Sequence, residues 1–351
     1  MAYTTINKPT DHVISDGYTG TSGNINVNIG FQPDLIWIKN KNNGYNHVVV
    51  DSVRGNTKVL EPSTSDAEGT CTEGVTAINS TGYTIGANTS SGGFEDDFNG
   101  TYNSPSYASW NWKGGTTSGI TTNGSTTITP SSYSFNQSAG ISIVKYTGNA
   151  TAGAKVAHGL GAVPGLIFVK VLDTSNNWAV YHKEMGADNA MYLDQDTGKT
   201  DDPWMNDTAP DNVNFTLSGG NYGNTANAHV AYCFSQVDGF SSFGKYTGNG
   251  NTDGKFCYTG FKPAIVLCKR TNGTSSGGIF DNKRDPLNTV NKTLFPNSAT
   301  SEDSSTVRMD FLSNGFKHRT TDTAWNGSSD EYIWIAFASE PIVGTNPATA
   351  Y

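Results

Sequence analysis

Apolar positions along this chain come in short runs, and three of the runs are copies of one another. Pro33-Asp-Leu-Ile-Trp-Ile-Lys39, Pro164-Gly-Leu-Ile-Phe-Val-Lys170 and Pro263-Ala-Ile-Val-Leu-Cys-Lys269 each begin on proline and reach lysine six positions later. So many β-branched and aromatic residues in so few positions predict strands buried on both faces. Proline fits the first place of a strand, where its missing N–H does least harm. A second set alternates large and small residues: Tyr107-Ala-Ser-Trp-Asn-Trp112, His229-Val-Ala-Tyr-Cys-Phe234 and Tyr332-Ile-Trp-Ile-Ala-Phe337. That period of two predicts a half-buried sheet face. Ile141-Ser-Ile-Val-Lys-Tyr146 and Val48-Val-Val50 also read as strands, and no amphipathic pattern sustains three helical turns. Trp37, Trp110, Phe168, Phe234, Trp334 and Phe337 are the expected core.

The copies keep register over a longer span. Tyr18-Thr-Gly, Tyr146-Thr-Gly and Tyr246-Thr-Gly open the three units, and Asp51, His182 and Asp281 fall eighteen positions past the prolines. A period of about a hundred residues means tandem copies of a whole domain, since solenoid repeats recur every 20–50 residues. The expectation is an all-β chain of three antiparallel β-sandwiches of the jelly-roll, lectin-like kind. Residues 1–12 form an extended lead, followed by units at 13–115, 140–238 and 239–343 and a tail at 344–351. Residues 116–139, rich in Gly, Ser and Thr, read as a linker whose later part adds an edge strand to unit two. Units two and three are expected to dock rigidly, with unit one joined more loosely.

Composition narrows the partners. Forty glycines and only 15% charged residues suit short strands and many turns. A net charge of −9 carries no basic stripe, which argues against nucleic acid. Cys71, Cys233, Cys257 and Cys268 lie singly and read as reduced thiols. The start lacks the pattern of a signal peptide and no apolar run reaches eighteen residues, so the expectation is a soluble, cytoplasmically made protein with no membrane partner.

Candidate chemistry is sparse. Asp51-x-x-Arg54 and Asp281-x-x-Arg284 could serve as acid and electrophile. Unit two has His182 and Met185 instead, so a turn-locking ion pair is the preferred reading. Glu95-Asp-Asp97 and Asp201-Asp202 could supply the paired carboxylates of a glycosidase but do not recur between units. Asp194-Gln-Asp196-Thr-Gly198 resembles the start of a calcium loop with glycine one place early, so Ca2+ is a weak option and no cofactor is expected. The histidines show no zinc spacing and no G-x-S-x-G occurs, so no catalytic residues are assigned. Flat rings stack on sugars and anchor interfaces. Among the loop aromatics, Trp204 and Trp325 stand between polar residues and are expected to be exposed. With Tyr102 and Tyr222 they are the binding candidates.

Taken together, Y-T-G, a G-F-x-P strand ending in lysine, D-x-x-R and the closing Y-A-S-W-N-W resemble a family of virion structural proteins from marine and cyanobacterial tailed phages. Met1-Ala-Tyr-Thr-Thr-Ile-Asn-Lys-Pro9 and His158-Gly-Leu-Gly-Ala-Val-Pro164 are similar to theirs as well. The resemblance covers nearly the whole chain and implies a non-enzymatic virion protein on the particle surface, assembled in the host cytoplasm. Without a coiled-coil or β-helical shaft, a capsid decoration or appendage protein is favoured. The alternative is a tail-fibre or receptor-binding protein recognising a host surface glycan, with a glycan depolymerase third. Expected partners are other virion proteins and further copies of the chain, as a trimer or on a symmetric lattice.

Overall fold

A computed structural model of the chain describes residues 4–89, 93–100, 105–220, 222–343 and 347. Each unit is built on an antiparallel sheet with one strand order: opening, closing, proline-led, following. In unit one these strands are Val13–Thr19, Ser106–Trp112, Leu35–Asn40 and His47–Asp51. In unit two they are Ile141–Thr147, Ala228–Ser235, Pro164–Val171 and Ala179–His182. In unit three they are Ser241–Thr247, Glu331–Pro341, Phe261–Arg270 and Gly278–Asp281. The three proline-led runs are therefore strands at equivalent places. Each pairs with its closing strand in the same register, Trp37 opposite Trp110, Phe168 opposite Tyr232 and Leu267 opposite Ile335.

One face of each large sheet is covered by smaller strands of its own unit. Those strands are Ile25–Asn28, Val75–Asn79 and Gly82–Ile85 in unit one, and Ala154–Ala157 and Asn214–Leu217 in unit two. Unit three uses Phe256–Tyr258, Met309–Leu312 and Gly315–His318. Each cover encloses a separate apolar cluster.

The opposite faces of the three large sheets meet each other. Trp37, Trp110 and Trp112 pack in a single core with Phe168 and Phe234 from unit two and with Ile265, Ile335 and Phe337 from unit three. Three equivalent rings form a triangle there. Centroids are 6.3 Å apart for Trp112–Phe234, 5.8 Å for Trp112–Phe337 and 5.7 Å for Phe234–Phe337. The molecule thus has an approximate threefold axis running through a shared core. The six expected core aromatics are all buried. The closing strands, read as half-buried, are buried on both faces, because each face belongs to a different core.

The Tyr-Thr-Gly signature has a structural purpose. Tyr18, Tyr146 and Tyr246 stack on Tyr107, His229 and Tyr332 of the closing strands. Their hydroxyls donate to the carbonyls of Phe98, Gly223 and Trp325, each followed by a buried asparagine. The side-chain oxygens of Asn99, Asn224 and Asn326 then accept the N–H of Thr21, Asn149 and Asn249. Glycine follows Tyr-Thr because a Cβ there would stand 2.6, 2.1 and 2.2 Å from the carbonyl oxygens of Gly100, Thr225 and Gly327.

Several boundary expectations change. The lead is not a free extended arm: Thr4, Ile6 and Pro9 are buried, Pro9–Asp11 is a short 3-10 turn, and Ile6 packs into the shared core. The stretch 116–139 is not a slack linker. Its later part adds an edge strand to unit two, as expected, Ser132–Asn136 pairing with Ile141–Thr147; beyond that, Ile128 enters the unit-two core and Ser134 Oγ donates to Asp34 Oδ1 of unit one at 2.8 Å. The hydroxyls of Ser131 and Ser132 donate to the Lys145 and Val53 carbonyls. Unit one is joined to the shared core as closely as the other two. Of the tail 344–351, all but Pro347 lies outside the described residues.

Candidate functional site

The aspartates past the proline-led strands sit where two units touch. Asp51 Oδ1 accepts the N–H of Val53 and Arg54, and Oδ2 pairs with Arg54 Nε at 2.5 Å. Arg54 also bonds Glu68 at 3.0 Å and the Val49 carbonyl. Asp281, Arg284, Glu302 and Ile279 repeat this arrangement bond for bond. Neighbouring units complete each carboxylate. Tyr232 of unit two donates to Asp51 at 2.6 Å, and Trp110 Nε1 of unit one donates to Asp281 at 3.0 Å. The aspartates and arginines are buried and engaged, so these sets lock turns, as the ion-pair reading expected, and they also join units.

Unit two replaces the whole set together. His182 stands for the aspartate, Met185 for the arginine and Lys199 for the glutamate, and Ile335 holds the register position that Trp110 and Tyr232 hold in the other units. His182 Nδ1 still accepts a turn N–H, from Glu184, and Nε2 contacts the Trp334 carbonyl of unit three at 3.2 Å. Burial lowers His182 to about 4, so the ring that stands in the aspartate's place is neutral.

The lysines that end the proline-led strands form a second ring of ties. Lys39 Nζ donates to Asn40, Asn43 and Ala299 carbonyls. Lys170 Nζ reaches Ser65 and Asn176, and Lys269 Nζ reaches Gln195 and Ser275. Each lysine thus holds a loop of another unit: one to three, two to one, three to two. Backbone bonds cross the same three junctions in the opposite direction, from Glu68, Lys199 and Glu302 N–H to Leu172, Thr271 and Lys41 carbonyls. Burial brings all three ammonium groups down to about 8. Between the sheets lies an apolar cavity of ≈ 50 Å³, lined from all three units by residues such as Trp37, Phe168 and Leu267.

The aromatic candidates fall elsewhere than expected. Trp204 and Trp325 are each only 1% exposed. Trp204 fills the unit-two core beside Met205 and Phe215, and Trp325 packs edge-on against Phe280 at 5.3 Å. Their polar sequence neighbours make turns that fold the rings back under the small sheets, so neither can meet a ligand. Tyr222 is half-buried against Tyr192, and Tyr102 lies outside the described residues. Trp178 is buried in the shared core and donates to the Glu61 carbonyl of unit one.

The remaining polar candidates are also placed. The calcium-like loop spends its oxygens elsewhere: Gln195 O accepts Lys269 and Asp196 O accepts the Ser275 N–H of unit three, while Asp194 Oδ1 accepts the Trp178 N–H within unit two. Among the described residues no three His, Cys, Asp or Glu side chains converge on a metal position. Asp97 lines a recess with Glu61 and not with Asp201 or Asp202; burial, then the Glu61 charge, raises it to about 8. The four cysteines are free, buried thiols. The asparagines of the Tyr-Thr-Gly clamp escaped sequence reading because they stand at unequal distances from the closing strands.

Comparison with curated proteins and with solved structures finds no match to this chain. A single family model spans all three units, as befits units that share one core. It matches residues 8–341, and the chain belongs to the family described as a domain of unknown function, DUF7483.

Proposed function

We propose that this chain is a non-enzymatic structural protein of the surface of a tailed-phage particle, a decoration or appendage protein. The carrying observation is the closed ring of ties between the three units. The repeated charged and polar groups are spent on making one rigid block, and none is left converging on a reaction centre among the described residues. The motif set that resembles tailed-phage virion proteins supplies the setting. A block with threefold repetition suits a threefold position in a lattice or a trimer of copies, and its partners would be other virion proteins. A receptor-binding role is the second reading, favoured by a surface cleft with an exposed tyrosine at the junction of units two and three.

Antibody labelling of the protein on intact, purified particles, imaged by electron microscopy, tests this reading. Label at regular positions on the head or at an appendage is expected. Particles that lack the protein would overturn it.

A further inference from the structure

A sheet edge with unpaired backbone groups accepts another strand, and proteins close such edges with a covering segment, a charge, a proline or a bulge. The small sheets of the three units can be compared strand for strand, because Val27, Val156 and Cys257 pair with Tyr83, Phe215 and Phe316 in one register. In unit two the edge strand Ala154–Ala157 is covered. The Lys155 carbonyl accepts the N–H of Thr127 and of Ile128, and Ala157 N–H donates to the Ile128 carbonyl. In unit three Lys317 stands opposite Phe256, and Lys255 precedes the edge strand. The far edge of the unit-one small sheet, Val75–Asn79, is broken by a bulge. Ile25–Asn28 has none of these devices. Its register with Gly82–Ile85 runs without a shift, it holds no charge or proline, and no strand covers it among the described residues. Ile29 N–H bonds the Thr81 carbonyl, so alternation turns Ile25 and Val27 toward Gly82–Ile85 as well. The backbone N–H and C=O of Asn26 and Asn28 are left on the open side, in the places that Lys155 and Ala157 hold in unit two.

We infer that this edge pairs with the same edge of a second copy of the chain, antiparallel about a two-fold axis. Charge selects the partner. The chain carries a net charge of −9, so its copies repel one another. No Asp, Glu, Lys or Arg occurs from Gly17 to Pro33 or from Gly74 to Phe94, the two segments that build this small sheet. Two acidic molecules can therefore meet here without setting like charges against each other. With the axis at Val27, Asn26 of one copy faces Asn28 of the other, and the reverse. Each of these two pairs exchanges two backbone hydrogen bonds. Both asparagine side chains are exposed, and their amides, which donate and accept, lie side by side across the junction. Val27 keeps its place in the core of unit one.

The inference goes beyond the proposed role: it concerns how copies join, and it holds wherever the protein sits, which the labelling experiment reads separately. Sedimentation equilibrium of the full chain, from micromolar to millimolar concentration, is expected to show a monomer–dimer equilibrium. Asn26→Asp combined with Asn28→Asp sets like charges directly opposite in both pairs and should weaken the dimer about tenfold or more. The substituted side chains keep an acceptor oxygen for the Thr84 hydroxyl and the Gly30 N–H, so the fold is retained and the thermal melt of the monomer checks it. Mixing that variant with Asn26→Lys, Asn28→Lys sets opposite charges in both pairs and should restore association as a mixed dimer. A chain that stays monomeric at millimolar concentration overturns the inference. So does a dimer that tolerates the double aspartate substitution, or a mixture of the two variants that fails to associate.

Discussion

The phenol of Tyr232, in unit two, donates a 2.6 Å hydrogen bond to Oδ2 of Asp51, in unit one, and both side chains are buried. The same carboxylate oxygen pairs with Arg54. Tyr232→Phe removes one donor from a buried charge, and a loss of about 1–3 kcal/mol is expected from urea unfolding. Trp110→Phe should cost a comparable amount through Asp281. Near-neutral effects at both positions would show that the carboxylates are satisfied by their arginines alone.

His182→Asp tests whether the four-residue set acts as a unit. Alone, it buries a carboxylate with Met185 in place of the arginine and Ile335 in the donor's position, and a loss of roughly 3–5 kcal/mol is expected. Adding Met185→Arg, Lys199→Glu and Ile335→Tyr rebuilds the arrangement of units one and three and should recover much of that loss. Thermal melts of the single and quadruple variants decide it.

The three units should unfold together. Trp112, Phe234 and Phe337 touch across the axis, so releasing any one unit exposes the core of the other two. Phe337→Ala is expected to cost about 3–5 kcal/mol and to lower a single transition seen alike by fluorescence and circular dichroism. A separate early transition of unit one would contradict the shared core.

Ile6 belongs to the same core, 4% exposed. Ile6→Ala should destabilise the whole block by about 2–5 kcal/mol. An unchanged denaturation midpoint would mean that the lead rests on the molecule without supporting it.

Stability should fall on acidification. Burial lowers all six histidines, with His158, His182 and His229 at about 4 and His318 at about 3. Between those values and the unfolded value near 6.5 the unfolded chain binds more protons, so stability decreases as pH drops through that window. Asp97 acts in the opposite sense. Raised to about 8, it holds a proton that the unfolded chain releases near 4, so its contribution is lost as pH rises from 4 to 8. Urea midpoints at pH 5 and 7 should therefore differ, and Asp97→Asn should raise stability at pH 8. In the Asp97→Asn variant, where the opposing carboxyl is removed, a midpoint no lower at pH 5 than at pH 7 would rule out the histidine effect.

Local order was open to reading from the residues alone. The β-branched and aromatic runs, the prolines that lead them and the constant spacing to lysine and aspartate settle that the chain is all-β and threefold repeated. Period and spacing are properties of one strand and its turn, and they survive in a linear sequence. What faces a strand from another unit is not written there. Both faces of the closing strands are apolar whether they meet one core or two, so only the packed structure shows that Trp112, Phe234 and Phe337 converge. Polar neighbours made Trp204 and Trp325 look exposed, because turn residues set where the chain reverses and not which way a ring points. That Asn26 and Asn28 turn their backbone groups to an open edge becomes visible only once cross-strand register pairs Val27 with Tyr83, since register is set by hydrogen bonding between segments far apart in the chain.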